Sequence, residues 1–207
     1  MKILHIDSSI LAEDSVTRRL SAETVKKIKE QYPNAEVTYR DVVHQPITHL
    51  TADIAAGFRP VGGADSPQAL PEHQVSQALV DEFLASELII IGAPMYNFSV
   101  STQLKAWLDR IAQPGKTFQY TSAGPVGLAG GKQIIIVSAR GGFYLQPPFS
   151  ALDFHEKYLQ GFFAFLGIKD LFYIRAEGMS KGEEVKRQHI EDAFASVDSV
   201  IAALSPQ

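Results

Sequence analysis

The sequence contains no cysteine among its 207 residues. This absence excludes disulfide bonds, catalysis by a thiolate and metal sites built on sulfur. It also excludes the phosphatases that attack phosphate with a cysteine nucleophile. A chain without cysteine fits a reducing compartment, so we predict a cytoplasmic protein.

Long apolar runs and an excess of basic residues are missing as well. No window approaches the roughly 18 consecutive apolar residues of a membrane span, and the start, MKILHIDSS, does not have the pattern of a signal peptide. The formal net charge is −4, whereas a nucleic-acid-binding surface needs a basic stripe. The histidines show no metal-binding spacing. We therefore expect no membrane, nucleic-acid or metal partner.

Short apolar runs are what the sequence does contain. They cover residues 2–6, 88–91, 134–137 and 171–174, and a fifth candidate at residues 36–39 alternates as an edge strand does. The runs at 88–91 and 134–137 are apolar at every position, so both of their faces must be covered. Such runs are typical of a parallel sheet with helices on both sides.

Helical spacing of apolar residues separates these runs. The predicted helices cover about residues 15–31, 104–111, 159–166 and 190–204. Ser180 and Glu183 have the spacing of a capping box, which predicts the start of the last helix. The alternating order predicts an α/β fold, a doubly wound five-stranded parallel sheet with helices on both faces.

Two stretches interrupt this alternation. Residues 43–70 are rich in Pro, Gly, Thr and Asp and predict a long surface excursion, and residues 113–131 predict a small hairpin or flap. Loops of this length are often functional. Arg59, in the excursion, is either an ordinary exposed arginine or a contact for a cofactor phosphate or a substrate sulfonate.

Ligands bind such sheets beyond the carboxyl ends of the strands, where the strand order reverses. The first loop there, DSSILAEDSVT, carries Ser9, then Ser15 and Thr17 at the start of a helix. Hydroxyls and unpaired N–H groups at a helix N-terminus bind phosphate without any lysine. The alternative is that Ser15 only caps the helix and Ser9 only forms a turn. Neither a dinucleotide-binding glycine motif nor a P-loop is present.

The loop after the strand at 88–91 contains more aromatic and amide side chains than a simple connection between a strand and a helix requires. Asn97 offers an amide, and Tyr96 and Phe98 offer flat faces. Alternatively, Met95 and Phe98 fill the core and Asn97 forms a turn.

The loop after the strand at 134–137 contains Gly141 and Gly142, which permit close backbone approach or positive φ. A tight turn is the alternative for this pair alone. Together, the three loops converge where one planar, phosphorylated ligand would lie.

The segments APMYNFSVSTQLKAWLDR, TFQYTSAGPVGLAGGK and ARGGFY, with DSSIL near the start, resemble the FMN-dependent NADH-azoreductase and quinone reductase family over essentially the whole chain. The resemblance implies a flavodoxin-like fold, with residues 1–207 as a single FMN-binding domain. It also implies one FMN per subunit and a homodimer whose active sites lie at the interface.

The resemblance further implies a ping-pong reaction with NADH or NADPH as electron donor, in which quinones are reduced and aromatic azo bonds are cleaved. Flavin N5 carries the hydride, so we predict no catalytic side chain. A flavodoxin-like electron carrier that serves a protein partner is the alternative function, and a non-catalytic nucleotide-binding domain is a second one.

The family's cofactor-binding residues transfer to this sequence motif by motif. The FMN phosphate would be held by Ser9, Ser15, Val16 and Thr17, the ribityl chain and ring by Met95, Tyr96, Asn97 and Phe98, and the polar ring edge by Ala139, Arg140, Gly141 and Gly142. Family members often have serine in place of Thr17 and Ala139, so a side-chain contact is lost at Ala139. We expect the Arg140 side chain either at the ring edge or in solvent.

Aromatic side chains are predicted to shape the pocket for the electron acceptor. Phe118 and Tyr120 on the flap and Phe162 and Phe163 on a helix are candidates to stack on quinones. One of the helix pair is expected in the core, and Phe118, Tyr120 and Phe162 are the residues predicted for the pocket.

Overall fold

The computed structural model describes residues 1–58 and 71–204. Its strands are, in chain order, β1 (Lys2–Asp7), β2 (Glu36–Asp41), β3 (Leu88–Pro94), β4 (Phe118–Thr121), β5 (Gly124–Gly127), β6 (Gln133–Ala139) and β7 (Asp170–Ala176). Five of them form one sheet in the order β2-β1-β3-β6-β7, in which all neighbours run parallel. The five predicted strands are confirmed, and the alternating run at 36–39 lies at an edge, as predicted.

The helices cover both faces of this sheet. They are α1 (Val16–Gln31), α2 (Ala52–Ala56), α3 (Pro71–Ala85), α4 (Thr102–Ile111), α5 (His155–Phe165) and α6 (Glu183–Ala202). α1 and α6 pack on one face, and α3, α4 and α5 pack on the other. No helix of the described residues is both long enough and apolar enough to cross a membrane.

The central strands explain why the sheet has two cores. Along β3, Ile89 and Ile91 belong to one buried cluster, whereas Leu88 and Ile90 belong to the other. Successive side chains of a strand point to opposite faces, so a run without polar residues requires helices on both sides. This is the physical reason why the uninterrupted apolar runs predicted a helix-covered parallel sheet.

The strand order creates a crevice at one edge of the sheet. After β1 the chain crosses to β2 on one side, and it later returns to β3 on the other side of β1. α1, which follows β1, and α4, which follows β3, lie on opposite faces. The loops after β1 and β3 therefore diverge, and they leave a space at the carboxyl ends of the strands.

The predicted flap is a two-stranded antiparallel hairpin of β4 and β5. It packs closely against the end of α5, because a Cβ at Gly127 would lie 2.1 Å from the backbone of Leu166 and Gly167. Only glycine permits this approach. Of the predicted excursion, the part from residue 43 to residue 58 contains the short helix α2, and Arg59 lies outside the described residues.

The predicted capping box of the last helix is wrong. α6 begins at Glu183 after Gly182, which has a φ of 100° and provides no side-chain cap. The backbone N–H of Ser180 instead donates to the carbonyl of Gly141 at 3.0 Å. The spacing matched a cap because serine stands three residues before a glutamate, but the chain turns at Gly182 before the helix starts.

Candidate functional site

A cleft of about 660 Å³ opens at the carboxyl ends of β1, β3 and β6. Most of the residues predicted to hold the cofactor line it, namely Ser9, Ser15, Val16, Thr17, Met95, Tyr96, Ala139, Arg140 and Gly141. Asn97, Phe98 and Gly142 are not among its wall residues. The fold thus brings together three loops that lie far apart in the sequence.

The hydroxyl loop, residues 8–17, forms one end of the cleft. Ser15 caps α1, since its Oγ accepts a hydrogen bond from the N–H of Arg18 at 3.2 Å, and this confirms the capping role. The Ser15 Oγ also lies 3.1 Å from the Thr17 Oγ1. Because the first N–H groups of a helix have no partner within it, they and these hydroxyls together favour an anion.

Arg18 fixes the hydroxyl loop from behind. Its Nη2 donates to the carbonyl of Ser9 at 2.9 Å and to the Asp41 carboxylate at 3.0 Å. Asp41 also accepts from the N–H groups of Val43 and His44, so it caps the turn that follows β2. Although burial alone would raise it, the hydrogen bonds from Arg18 and His44 hold the pKa of Asp41 well below its usual range. The carboxylate therefore stays charged and keeps Arg18 in place.

The loop of residues 95–98 forms a second wall and carries backbone strain. Asn97 and Phe98 have φ values of 47° and 71°, a region that side-chain-bearing residues seldom adopt and that is typical of functional sites. Two backbone hydrogen bonds close the loop, because the N–H of Tyr96 donates to the carbonyl of Ser99 and the N–H of Ser99 donates to the carbonyl of Tyr96. Phe98 is 42% exposed and Met95 is half-buried, so neither fills the core, and that part of the alternative is wrong. Asn97 does lie in a turn, so the other part is confirmed.

Tyr96 links two walls of the cleft. Its hydroxyl accepts a hydrogen bond from the N–H of Ile10 at 3.3 Å, so the loop after β3 is joined to the loop after β1. Met95 makes the next connection, because its N–H donates to the carbonyl of Ala139 at 2.9 Å. The three loops are therefore tied to one another by the Tyr96 hydroxyl and by one backbone hydrogen bond.

The loop of residues 139–142 forms the third wall and is fastened to the segment after β7. The carbonyls of Arg140, Gly141 and Gly142 accept hydrogen bonds from the N–H groups of Met179, Ser180 and Gly178, each at 3.0 Å. A Cβ at Gly141 would lie 3.0 Å from the Ser180 Oγ. Glycine therefore permits this loop to pack tightly on its neighbour while it faces the cleft.

The Arg140 side chain lies in neither of the two predicted positions. It is fully buried, and its Nη1 lies 3.2 Å from Asp153 and 3.4 Å from Glu177. Glu156 is a third carboxylate partner of the same guanidinium. These three acids neutralise the guanidinium, and none of them lines the cleft.

The Arg140 network, which consists of Arg140, Asp153, Glu156 and Glu177, also contacts the chain just after the loop, at Tyr144. Glu177 accepts a hydrogen bond from the N–H of Tyr144 at 2.6 Å, and Glu156 is shared with Arg175 at 2.9 Å. The neighbouring His155 is fully buried. Burial, aided by the positive charge of Arg140, lowers the pKa of His155 to about 4, so this ring is neutral at neutral pH.

The three aromatic residues predicted for the acceptor pocket lie outside the cleft of a single chain. Phe118 is in the core, with its ring centroid 4.5 Å from that of Phe165. Tyr120 is 74% exposed, and Phe162 is half-buried against Phe163, which is the member of the helix pair that lies in the core. Burial leaves Phe118 little surface to stack on a substrate.

A fourth wall of the cleft was not anticipated. It consists of the segment after β7 and the start of α6, which contribute Met179, Ser180, Lys186 and Ile190. Arg19 on α1 completes the set on the facing side. The rule that ligands bind after the carboxyl ends of strands applies to β7 as well. The same rule could therefore have predicted this wall from the sequence.

Comparisons with known proteins agree with this geometry. Residues 1–201 match the protein family described as flavodoxin-like fold. An FMN-dependent NADH:quinone oxidoreductase 2 of Xanthomonas axonopodis pv. citri (strain 306) is 52% identical over 206 residues, which cover 99% of this chain and 95% of that protein. The chain belongs to this flavodoxin-like oxidoreductase family.

Solved structures of the family share the fold over nearly the full length. The crystal structure of azoreductase AzrA has a TM-score of 0.88 at 24% identity, with 99% of this chain and 100% of that chain covered. An azoreductase from Bacillus anthracis str. Sterne has a TM-score of 0.83 at 26% identity and covers 96% of this chain and 99% of its own. The flavodoxin-like α/β fold predicted from the sequence is thus confirmed.

The residues of the cleft suit the FMN that the family name implies. Ser9, Ser15 and Thr17 are buried hydroxyl groups beside a helix N-terminus, which is a donor set for a phosphate. Met95 and Tyr96 offer apolar and flat surfaces on the adjoining wall. The order of these features along the cleft is hydroxyl end, aromatic loop and glycine loop, and it matches a ligand with a phosphate at one end and a planar ring at the other.

Proposed function

We propose that this protein is an FMN-dependent oxidoreductase that takes electrons from NADH and reduces quinones and aromatic azo compounds. The single observation that carries the proposal is the cleft, where the hydroxyl loop, the loop of residues 95–98 and the glycine-containing loop meet. The names of the 52% identical quinone oxidoreductase and of the 26% identical azoreductase support the substrate classes.

We propose the following roles for the walls of the cleft. The N-terminus of α1, with Ser9, Ser15, Val16 and Thr17, holds the phosphate. The loop of residues 95–98 and the backbone of residues 139–142 hold the ring system. All of these residues belong to one FMN-binding domain.

Bound FMN would supply the redox chemistry, because a flavin exchanges a hydride with a nicotinamide and passes two electrons to an acceptor. The chain's own residues bind and orient it. Arg18 and Arg140 are each paired with carboxylates, and they stabilise the loops after β1 and β6. The positive φ values at Asn97 and Phe98 are strained, and the two backbone hydrogen bonds between Tyr96 and Ser99 hold them in place. Preorganised loops of this kind hold a ring without rearrangement.

A homodimer is part of the proposal. The segments that follow β1, β3 and β6 expose large apolar side chains, namely Ile10, Leu11, Phe98, Phe143, Leu145, Phe149, Leu152 and Phe154. Exposed apolar groups of this number on one edge mark an interaction surface. A second copy of the chain would cover them and complete the acceptor pocket. Light scattering should then give a mass near twice the 22.7 kDa of one chain, and a mass of one chain would contradict the dimer.

We also propose that the protein works in the cytoplasm without a membrane or nucleic-acid partner. The absence of cysteine and the net charge of −4 support this proposal. Fractionation of the source cells, followed by detection with an antibody, tests the location. Recovery in the membrane pellet would contradict it.

The test of the function uses the purified protein alone. We expect a yellow protein whose flavin absorption bleaches with NADH in the absence of oxygen and returns when benzoquinone or an azo dye is added. Steady NADH oxidation with benzoquinone distinguishes an enzyme from an electron carrier, since a carrier would require a protein partner. A colourless protein that does not take up FMN would refute the proposal.

A further inference from the structure

Two cations, Arg19 and Lys186, line the cleft together with residues of the hydroxyl loop. Arg19 is the fourth residue of α1, and Lys186 is the fourth residue of α6. Both helices follow strands of the sheet and begin at the same edge, and both cations line the cleft together with Ser15 and Thr17. Each cation therefore stands about one helical turn inside the N-terminus of its helix.

The charges of Arg19 and Lys186 are largely free of carboxylate partners. Among the described residues Arg19 forms no ion pair, and its guanidinium lies 5.7 Å above the ring of Phe194. The Lys186 Nζ is 3.9 Å from Glu183, whose side chain is 93% exposed. A contact of that length to a solvated group contributes little. Both cations thus remain available to a ligand.

Neighbouring arginines show the contrast. Arg187, the next residue after Lys186, is paired with both Glu184 and Glu191 at 2.7 Å, and it does not line the cleft. Arg140 lines the cleft but is neutralised by its buried acids. Arg19 and Lys186 are therefore the cleft-lining cations of the described residues that keep an unneutralised charge.

Two acidic residues line the same cleft and oppose the charge of these cations. Glu13 and Asp14 also line the cleft, on the turn that precedes α1. Without Arg19 and Lys186, two carboxylates would face an incoming phosphate, and the field at the hydroxyl end would oppose binding. The helix N-termini favour an anion by themselves, but each is equivalent to only about half a charge.

We propose that Arg19 and Lys186 form a cationic subsite for the terminal phosphate of the flavin and make the cleft selective for FMN over riboflavin. The inference rests on the proposed FMN function and goes beyond it, because it names the residues that recognise the phosphate charge. It also departs from the expectation that the hydroxyl loop binds phosphate without a lysine.

The test compares two flavins that differ only in the phosphate. Dissociation constants of FMN and riboflavin are measured by quenching of flavin fluorescence with flavin-free protein. Lys186→Met and Arg19→Met should each weaken FMN binding roughly five-fold and leave riboflavin binding unchanged. Lys186→Arg should restore FMN binding, and the double variant should show a weaker dependence on salt. Lys27→Met, on the same helix as Arg19 and paired with Asp198 at 2.6 Å, is the matched control and should bind both flavins as wild type does.

Glu13→Gln supplies a test of opposite sign, since removal of a carboxylate from the hydroxyl end should tighten FMN binding. The inference is overturned if FMN binds Lys186→Met and Arg19→Met as tightly as wild type, or if riboflavin binding weakens by the same factor as FMN binding. In either case wild-type protein still binds FMN, so the proposed function stands. Wild-type protein that binds neither flavin would overturn both.

Discussion

Two arginines stand behind two walls of the cleft, and the protein holds them in different ways. Arg18 is partly exposed and has one close carboxylate, Asp41, with Asp7 at 3.9 Å. Arg140 is fully buried among three carboxylates. Both hold a loop of the cleft in place, but only the Arg18 guanidinium is itself within reach of water. The comparison teaches that similar positioning roles can carry very different energetic penalties when they are disturbed.

The largest difference is expected for removal of the buried guanidinium. Arg140→Met should lower the free energy of unfolding by about 3–5 kcal/mol, because uncompensated carboxylates would remain buried. Arg175→Met, which removes a one-third-exposed partner of Glu156, is the matched control and should cost about 1 kcal/mol or less. Urea denaturation of flavin-free protein measures both. Equal losses would show that burial does not set the strength of the Arg140 network.

The second prediction uses pH to separate the two networks. The pKa of His155 is lowered from 6.5 to about 4 by burial and by Arg140, so the unfolded chain takes up this proton more readily than the folded protein. Stability is complete above about pH 6.5 and should decline by on the order of 3 kcal/mol as the pH falls toward 4. Urea denaturation between pH 7.5 and pH 4.5, compared for wild type and His155→Gln, checks this.

Asp41→Asn is the control for that pH profile. The pKa of Asp41 is lowered from 3.8, so its contribution to stability is present above that value and is lost only as the pH falls further. The variant should be less stable but keep the wild-type slope between pH 7.5 and pH 4.5. If His155→Gln keeps that slope too, the assignment of the slope to His155 is wrong.

The third prediction concerns the partly exposed arginine. Arg18→Met should lower the free energy of unfolding by about 2 kcal/mol, which is less than for Arg140→Met because Asp41 keeps its hydrogen bonds from Val43 and His44. It should also weaken FMN binding, since the carbonyl of Ser9 loses its partner.

Arg40→Met removes an ion pair with Glu82 that does not touch the hydroxyl loop, so it provides the control for Arg18→Met. Its FMN dissociation constant should equal that of wild type. A similar weakening in both variants would mean that Arg18 acts through general stability and not through the loop.

The smallest effect is expected for Tyr39→Phe. The Tyr39 hydroxyl donates to Asp7 at 3.0 Å, and burial together with Asp7 raises the pKa of Tyr39 to about 12. The residue is nevertheless 53% exposed, so water can replace the lost bond, and we expect about 1 kcal/mol or less. Thermal denaturation of the variant beside Arg18→Met gives the ranking. A loss as large as that of Arg18→Met would contradict it.

The sheet could be predicted from the sequence because its signal is local. Apolar runs at 88–91 and 134–137 reveal their burial without knowledge of any distant residue. The positions of the three cleft loops followed from the rule on strand ends. The cap at Ser15 was likewise predictable, since a hydroxyl directly before a helix has a short-range partner.

Features that depend on distant partners could not be predicted. The direction of the Arg140 side chain is set by Asp153, Glu156 and Glu177, which three-dimensional folding brings to it. Lys186 joins the hydroxyl end from more than 160 residues away from Arg19. The failed cap at Ser180 shows the limit of a spacing rule, because the positive φ of Gly182 delays the start of α6.

The most direct test of the central claim is a crystal structure of the protein with FMN added. We predict one FMN per chain, with its phosphate at the N-terminus of α1 beside Ser15 and Thr17 and its ring between the loop of residues 95–98 and residues 139–142. Density for FMN at another place, or an empty cleft at saturating FMN, would contradict the account.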